Sequence, residues 1–239
     1  MLTILTATHC RPVAIRLLNK WMKRQTYQDF RWVIVCDAGW EEYEHPDRCN
    51  YFIRRDVKPG EQHSMIENLG LGLEFVTGEK LLIVDDDEWL SRNYVETMEE
   101  ALDLHDLFGI APSFYYHLPS KRLLNLRNNE WAALTATGMR RSVFPLFREL
   151  LEAGDTALDV PLWRQWQGSK RLMQNDWITF QGNRALIVSM KGLPGAPGIG
   201  IGHNAQGMHD PTGKMLEGLM GPGDAEEYRN LRTTGELRR

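Results

Sequence analysis

A buried strand that ends in a block of acid constrains this 239-residue chain more than any other feature. Residues 80–87, KLLIVDDD, run from a continuous apolar stretch into three aspartates, and Glu88 follows them. An apolar run without alternation is typical of a strand that is covered on both faces, as in parallel sheets. Adjacent carboxylates repel one another unless a cation or a ligand neutralises them. The segment therefore predicts a central strand whose carboxyl end holds a charged ligand.

Strand and helix patterns alternate through the first half of the chain. Apolar, β-rich runs predict four strands, at residues 2–8, 31–38, 51–56 and 80–87. Apolar residues at helical spacing follow Pro12, and they occur again after Pro59-Gly60 until Gly78 stops them. This order predicts an α/β fold in which helices flank a mostly parallel central sheet with right-handed crossovers.

The carboxyl ends of parallel strands meet at one edge of the sheet, and ligands bind there. The first predicted strand carries Thr6 and Thr8 at that end, and the second strand carries Asp37. We therefore expect these side chains to face the same crevice as the acidic block.

The acidic block has the spacing of a metal site. Asp85 and Asp87 alternate along the strand direction, so they should face one side and Asp86 the other. Carboxylates at a strand end can hold a hard divalent cation, which prefers oxygen ligands and shares them with phosphates. The alternative is a solvated turn in which Ser91 caps a helix that begins near Arg92. That alternative explains one acidic residue but not three.

Composition restricts the class of protein. Hydrophobic residues make up 42% of the chain and charged residues 25%, which is typical of a globular protein. No apolar run approaches the roughly 18–20 residues that span a bilayer, and the N-terminus lacks the basic stretch of a signal peptide. Three cysteines without a CxxC pair suit a reducing compartment. We expect a cytoplasmic protein without membrane insertion.

Charge is unevenly distributed between the halves. Residues 1–119 hold 12 Lys and Arg against 20 Asp and Glu, a balance of −8. Residues 120–239 hold 16 against 12, a balance of +4. An acidic half suits a cation site and a basic half suits an anionic partner, but chance scatter of surface charge explains the asymmetry equally well.

Three segments, in this order, resemble the GT-A glycosyltransferases, above all the inverting family 2. They are TILTATHCRP at the first strand, VIVCDAG at the second, and ENLGLGLEFVTGEKLLIVDDD leading into an Asp-x-Asp motif. The likeness covers residues 1–115 and thins afterwards. It implies a single GT-A domain (1–239) that comprises a nucleotide-sugar-binding half (1–115), an acceptor-binding half (116–214) and a C-terminal helix or tail (215–239).

The resemblance also implies a site for a nucleotide-sugar donor and a metal ion. Donor contacts would come from Thr6, Thr8, Arg11, Asp37, Asn68, Asp85 and Asp86. Apart from the resemblance, Arg140 is a candidate for holding the diphosphate or an anionic acceptor, and the alternative is a residue at a solvated helix start. Mn²⁺ or Mg²⁺ would be held on the diphosphate by Asp87 and Asp85, with His203 of the Gly/Pro-rich stretch 190–210 completing the shell. A divalent ion suits this reaction because departure of a nucleoside diphosphate builds charge on phosphate oxygens. The alternative for His203 is a histidine that braces the loop.

An inverting transfer needs a carboxylate that takes the proton of the acceptor hydroxyl. The stretch LDVPLWRQW resembles the base helix of the family and points to Asp159, with Asp155 as the other candidate. Leu158 stands where the family usually has a glutamate, so the match is incomplete. The alternative is that Asp159 caps the helix, with Pro161 in its first turn.

The implied activity is metal-dependent transfer of a hexose or pentose from a nucleoside diphosphate sugar to an acceptor hydroxyl. UDP-sugars are the commonest donors of the family. The compact chain and its basic second half also resemble small phage-type enzymes that glycosylate hydroxymethylated bases in DNA, which would place the chain in the host cytoplasm. A saccharide acceptor is the alternative, and the sequence leaves the acceptor open.

Two other functions fit parts of the pattern. A sugar nucleotidyltransferase should carry a glycine-rich basic loop directly after the first strand, and ATHCRPVAIR has no glycine. A non-catalytic nucleotide-sugar binder would keep the fold without needing a base. Substitution of Asp159 separates such a binder from an enzyme.

Overall fold

The computed structural model of the chain describes residues 1–9, 11–37, 45–57, 64–154, 157–175, 185–195 and 206–233. These residues form two β-sheets, and helices cover both faces of the larger one. The α/β class predicted from the alternating patterns is confirmed.

The described residues contain strands β1 to β12 and helices α1 to α7. The strands are β1 (Leu2–Thr8), β2 (Phe30–Cys36), β3 (Tyr51–Arg54), β4 (Lys80–Ile83), β5 (Glu88–Leu90), β6 (Leu107–Ala111), β7 (Ser113–His117), β8 (Arg122–Leu126), β9 (Thr137–Arg140), β10 (Lys170–Gln174), β11 (Ile187–Lys191) and β12 (Met208–His209). The helices are α1 (Pro12–Lys23), α2 (Ser64–Leu73), α3 (Tyr94–Leu104), α4 (Phe144–Glu152), α5 (Asp159–Gln165), α6 (Lys214–Met220) and α7 (Pro222–Thr233). None of these seven helices has the length and apolar character that a bilayer span requires.

The larger sheet has seven strands in the order β10-β6-β9-β4-β1-β2-β3. Its neighbouring strands are parallel except at β9, which runs antiparallel to both β4 and β6. The mostly parallel sheet is therefore confirmed, and the four strands predicted from the sequence lie side by side within it. Because β1, β2, β3 and β4 run the same way, their carboxyl ends meet at one edge, which we call the carboxyl edge.

A smaller sheet lies beyond this edge, in the order β12-β8-β7-β11-β5. Its strand β5 begins at Glu88, directly after the aspartates, and pairs antiparallel with β11. The helix expected near Arg92 begins instead at Tyr94, and the side chain that accepts a hydrogen bond from its first turn is that of Gln25, which accepts from the N–H of Val95 at 3.0 Å. The acidic block therefore lies between two strands of different sheets, which differs from the alternative of a turn that leads into a capped helix.

Hydrophobic cores lie on both faces of the larger sheet. One contains the fully buried Trp21 and Trp32 beneath α1, and the other contains Phe147 and Trp163 from α4 and α5. Helix α7 belongs to the first core, because the hydroxyl of Tyr228 is buried and accepts a hydrogen bond from Trp21 Nε1 at 3.0 Å. The two cores hold the sheet rigid on both sides and leave the carboxyl edge for polar groups.

Candidate functional site

The acidic block of β4 is buried at the carboxyl edge. Asp86, Asp87 and Glu88 are each no more than 3% exposed, whereas Asp85 is partly exposed. One carboxylate oxygen each of Asp85, Asp87 and Glu88 lies within 4.8 Å of the other two. The structure therefore brings together the two aspartates predicted as metal ligands, and it adds Glu88 to them.

Two cations from distant parts of the chain neutralise the two most buried aspartates. Arg11, at the start of α1, donates from Nη1 to Asp86 Oδ1 and from Nη2 to Asp87 Oδ2, both at 2.8 Å. Lys191, at the end of β11, donates to both oxygens of Asp87 at 2.9 and 3.0 Å. Thr8 adds a hydrogen bond from its hydroxyl to Asp86 Oδ2 at 2.7 Å.

Four carboxylates against two cations leave two negative charges without a basic partner within this cluster. Asp85 and Glu88 bear that excess. Burial raises the pKa of Asp85 to about 7 and the pKa of Glu88 to about 8, because water no longer solvates the ionised carboxylates. Both groups therefore bind a proton more readily than an ordinary carboxyl group does, and a cation that binds them competes with that proton.

The other two aspartates behave differently because their partners are close. Burial would raise the pKa of Asp87, but the charges of Lys191 and Arg11 outweigh it and hold that pKa well below its usual range. Burial raises the pKa of Asp86, against the opposing charge of Arg11. Asp87 is therefore a permanent anion of the folded protein.

Glu88 is positioned by the smaller sheet. Its Oε1 accepts a hydrogen bond from the hydroxyl of Ser189 on β11 at 2.7 Å. Its Oε2 is buried and has no hydrogen-bond partner among the described residues. The carboxylate of Asp85 likewise receives no hydrogen bond from the part of the chain that the structure describes. These oxygens can accept a metal ion without the loss of an existing contact.

The donor set therefore fits a hard divalent cation. Carboxylates of Asp85, Glu88 and Asp87 supply only oxygen, the ligand that Mg²⁺ and Mn²⁺ prefer. When all four carboxylates are ionised, the net charge that remains after Arg11 and Lys191 are counted matches the charge of one such ion.

A second polar branch runs along the same edge towards β3. Asp37, whose side chain is fully buried, pairs with His9 Nδ1 at 2.6 Å and accepts from Arg55 Nη2 at 3.3 Å. Arg55 Nε donates to Asn68 Oδ1 at 2.7 Å, and Asn68 Nδ2 donates to the carbonyl of Thr8 at 3.4 Å. Predicted donor-binding residues Thr8, Asp37 and Asn68 therefore belong to one network that continues through Thr8 to the acidic block.

Two other predicted donor-binding residues lie elsewhere. Thr6 is fully buried within β1, where its hydroxyl accepts a hydrogen bond from Trp32 Nε1 at 3.0 Å. Arg140 pairs in register with Lys80, the first residue of β4, because β9 is antiparallel. It therefore lies at the edge opposite the aspartates, and the structure does not bring it to the site.

The residues predicted for proton transfer and for the metal shell are only partly described. Asp159 is partly buried in the first turn of α5, and its Oδ1 accepts from the backbone N–H of Val160 at 2.9 Å. Asp155 and His203 lie outside the described residues. The charge of Asp159 acts on Tyr115, and Tyr115 in turn lies 5.8 Å, measured to its ring centre, from Lys191 Nζ.

Sequence reasoning missed three members of the site, His9, Arg55 and Lys191, and it placed Glu88 in the acidic block without predicting it as a metal ligand. For Lys191 a signal existed, since a lysine ends the apolar run IVSMK in the same way that aspartates end LLIV. His9 comes directly after β1, and Arg55 comes directly after β3. Their position after a strand end was the available signal.

The sequence matches no protein-family model and no curated protein. Solved structures do resemble the chain in fold. The chain superposes on TarS of S. aureus with a TM-score of 0.55 at 12% identity, covering 80% of this chain and 37% of that one. For TarS 1–349 in complex with UDP-GlcNAc the TM-score is 0.51 at 12% identity, covering 87% and 61%.

A mannosyltransferase from Pyrobaculum calidifontis, PcManGT in complex with GDP-Man and Mn²⁺, superposes with a TM-score of 0.53 at 14% identity, covering 98% of this chain and 74% of that one. This chain spans less than two thirds of the TarS chains that it matches. At such low identities the likeness concerns the fold. The chain has the GT-A fold, with its Asp-rich group at the carboxyl edge of the sheet.

Proposed function

We propose that this chain is a metal-dependent glycosyltransferase that moves a sugar from a nucleoside diphosphate sugar to an acceptor hydroxyl. The observation that carries the proposal is the cluster of Asp85, Asp87 and Glu88 at the carboxyl edge of a GT-A sheet. The similar structures support it, since they include TarS with UDP, TarS with UDP-GlcNAc, and PcManGT with GDP-Man and Mn²⁺.

Asp85, Glu88 and Asp87 would hold Mn²⁺ or Mg²⁺. When bound, the ion would stabilise the charge that develops on the departing diphosphate. Arg11 and Thr8 keep Asp86 and Asp87 in fixed positions through hydrogen bonds of 2.7 to 2.8 Å. The protein would therefore hold the carboxylate groups of Asp86 and Asp87 in place before the donor binds.

The branch of the network near β2 and β3 would bind the nucleoside. His9 has a side chain that is 44% exposed, whereas the carboxylate of Asp37 beneath it is fully buried. Asp37 would therefore orient His9 and Arg55, and these two side chains would make the contact. UDP-sugars are the proposed donors, and the calorimetric titration described below distinguishes them from GDP-sugars.

Asp159 is the proposed general base, and the proposed stereochemistry is inversion. A carboxylate that accepts the acceptor proton must be within hydrogen-bond reach of the attacking hydroxyl. The acceptor would therefore lie between α5 and the acidic block, near Tyr115. The sequence alone supports the proposal that the transferred sugar is a hexose or a pentose. It also supports the proposal that the acceptor is a saccharide or a hydroxymethylated base in DNA. Salt-sensitive binding of modified duplex DNA would support the DNA acceptor, and absence of binding at low salt would end it.

Calorimetric titration tests the donor site directly. UDP, GDP, UDP-GlcNAc and GDP-Man are titrated into the protein with Mn²⁺ and then with EDTA. The test variant is Asp85→Asn, because Asp85 is partly exposed and its replacement leaves the ion pairs of Arg11 and Lys191 intact. The matched control is Asp103→Asn, an exposed carboxylate that pairs with Lys80 at the opposite edge.

We expect at least one nucleotide to bind with Mn²⁺ and to bind at least about tenfold more weakly with EDTA or in Asp85→Asn, because a divalent ion held by the carboxylates would attract the diphosphate. Asp103→Asn should bind as the wild type does. A folded wild-type protein that binds none of the four nucleotides would overturn the proposed function.

A further inference from the structure

Lys191 lies where a metal ion would approach Asp87. Its Nζ bonds Oδ1 at 2.9 Å and Oδ2 at 3.0 Å, so it faces both carboxylate oxygens. The side chain of Lys191 is 10% exposed and that of Asp87 is 1% exposed, so water screens this pair little. Among the described residues, Oδ1 of Asp87 accepts a hydrogen bond from Lys191 only, whereas Oδ2 also accepts from Arg11.

The two cations on Asp87 differ in how firmly they are held. Arg11 is a planar fork that bridges Asp86 and Asp87, and its movement would break contacts with both. Lys191 reaches one carboxylate through a flexible four-carbon chain. The ring of Tyr115, with its centre 5.8 Å from Nζ, offers a second favourable surface for the ammonium group. Lys191 can therefore leave Asp87 at a lower cost than Arg11 can.

The ammonium group of Lys191 and a metal ion are both positively charged, so they repel each other and compete for Asp87. With Lys191 in place, the cluster of four carboxylates already contains two cations. A divalent ion that binds Asp85 and Glu88 would then lie close to the ammonium group of Lys191, which is held against Asp87. Like charges at such short distances repel strongly, most of all in a buried site. A metal ion that takes Asp87 as its third ligand must therefore displace the lysine.

We propose that Lys191 is a resident cation that holds Asp87 in the metal-free protein and competes with the divalent ion for it, so that Lys191 sets the metal affinity of the site. Lys191 is in this role a positioning residue. The inference rests on the proposed metal site of Asp85, Asp87 and Glu88, and it concerns metal binding alone, without donor or acceptor.

The experiment is a titration of the full chain with Mn²⁺ alone, in which electron paramagnetic resonance measures the free ion at one fixed pH. The test variants are Lys191→Met and Lys191→Gln, the second of which keeps a hydrogen-bond donor near Asp87 without the charge. The matched control is Lys80→Met. Lys80 is also buried and pairs with two carboxylates, Glu99 and Asp103, but it lies at the opposite edge of the sheet.

Removal of the competing charge should tighten Mn²⁺ binding by about tenfold or more in Lys191→Met, since the repulsion between a unit charge and a divalent ion about 4 Å apart is worth more than about a factor of ten even at the dielectric constant of water. Lys191→Gln should also bind more tightly than the wild type, and Lys80→Met should be unchanged. Addition of Asp85→Asn to Lys191→Met should abolish the gain, because the tighter binding occurs at the proposed site.

Three further outcomes are distinguishable. Equal or weaker Mn²⁺ binding by folded Lys191→Met and Lys191→Gln, with binding by the wild type intact, would overturn the competition and leave the metal site standing. No Mn²⁺ binding by the wild type or by any folded variant would overturn the metal site, and the competition with it. If Lys191→Met folds only when Mn²⁺ is present, the ion replaces the missing charge, and the proposal is supported.

Discussion

Lys191 and Asp87 are 104 residues apart in the chain, yet the lysine Nζ lies within 3.0 Å of both oxygens of the aspartate. The backbone sets this contact, since the N–H of Met190 donates to the carbonyl of Asp87 at 2.7 Å and extends the pairing of β11 with β5. The smaller sheet thus carries a cation to the end of β4. Four adjacent carboxylates are tolerated in the core because Arg11 and Lys191 arrive from two different elements.

Arg11 should be the most important single side chain for the stability of the site. Replacement by Met removes the partner of both Asp86 and Asp87, and loss of one member of a buried ion pair costs about 3–5 kcal/mol. We expect Arg11→Met to lower the free energy of unfolding in urea by about this amount. The measurement is an equilibrium denaturation followed by circular dichroism.

The control for Arg11 is Lys23→Met. Lys23 also pairs with an aspartate, Asp47, but both side chains are more than half exposed. Exposed ion pairs contribute little to stability. Lys23→Met should therefore leave the unfolding curve unchanged, and a similar loss in the two variants would show that burial of the Arg11 pairs is not the cause.

Asp85 and Glu88 should make the metal-free protein less stable at alkaline pH. Burial raises their pKa values to about 7 and about 8, above the roughly 4 of unfolded carboxyl groups. Between about pH 4 and about pH 7 to 8 the folded state binds more protons than the unfolded state. The free energy of unfolding therefore falls as the pH rises through this range, and the contribution of the two groups is lost once the pH exceeds about 8. Asp87 has the opposite shift, and its contribution is lost only in strong acid, outside this window.

The measurement compares the free energy of unfolding with EDTA at about pH 6 and about pH 9. Glu88→Gln cannot ionise and should reduce the fall, whereas Glu96→Gln, in the first turn of α3, should not. Mg²⁺ should stabilise the protein more at the higher pH, because the ion binds the deprotonated carboxylates. Stability that rises with pH in EDTA would contradict the raised pKa values.

The parts of the fold that the sequence predicts are those with strong local patterns. Strand β1 is a run of apolar and β-branched residues and β4 belongs to a continuous apolar run, so their positions and the placement of Asp85–Asp87 at a strand end follow from local residues alone. The parallel order then brings Thr8 and Asp37 to the same edge. The pattern fails at β5, because three residues, EWL, are too few to show any period.

The parts that could not be predicted depend on long-range pairing. Arg140 is misplaced because β9 enters the sheet antiparallel between β4 and β6, and strand direction leaves no mark on a four-residue segment. Lys191 follows an apolar run, but only its pairing with β5 and β7 shows which side chains it meets. Thr6 and Thr8 lie on the same face of β1, since they are two residues apart. Only the structure shows that the hydroxyl of Thr6 accepts a hydrogen bond from Trp32.

Thr6 and Thr8 should therefore respond differently to replacement by valine, which keeps the shape and the strand preference of threonine. Thr6→Val leaves the indole N–H of Trp32 buried without its acceptor, which costs about 1–3 kcal/mol of stability. The affinity for the nucleotide should not change. Thr8→Val removes a hydrogen bond from Asp86 and should weaken metal-dependent nucleotide binding as well as stability.

Denaturation and calorimetry on the two valine variants test this pair, and each serves as the control for the other. Weaker nucleotide binding by Thr6→Val at full stability would return Thr6 to the donor site. Unchanged nucleotide affinity in Thr8→Val would show that the hydrogen bond from Thr8 to Asp86 does not contribute to donor binding.

Asp159 should affect turnover without affecting the donor. Its carboxylate lies in the first turn of α5 and belongs neither to the acidic block nor to the network around Asp37, so Asp159→Asn changes none of the proposed metal or nucleoside ligands. Loss of a general base lowers the rate by about 10²- to 10⁴-fold. Water replaces the unidentified acceptor in the assay, and release of nucleoside diphosphate from the preferred donor measures turnover.

The matched control is Glu152→Gln, at the exposed end of α4. It should keep both turnover and donor affinity, and Asp159→Asn should keep the affinity alone. Full turnover in Asp159→Asn would assign the base to another carboxylate, with Asp155 the next to replace. Loss of donor affinity together with turnover would mean that Asp159 supports the site structurally, since a base that acts only on the acceptor makes no contribution to donor binding.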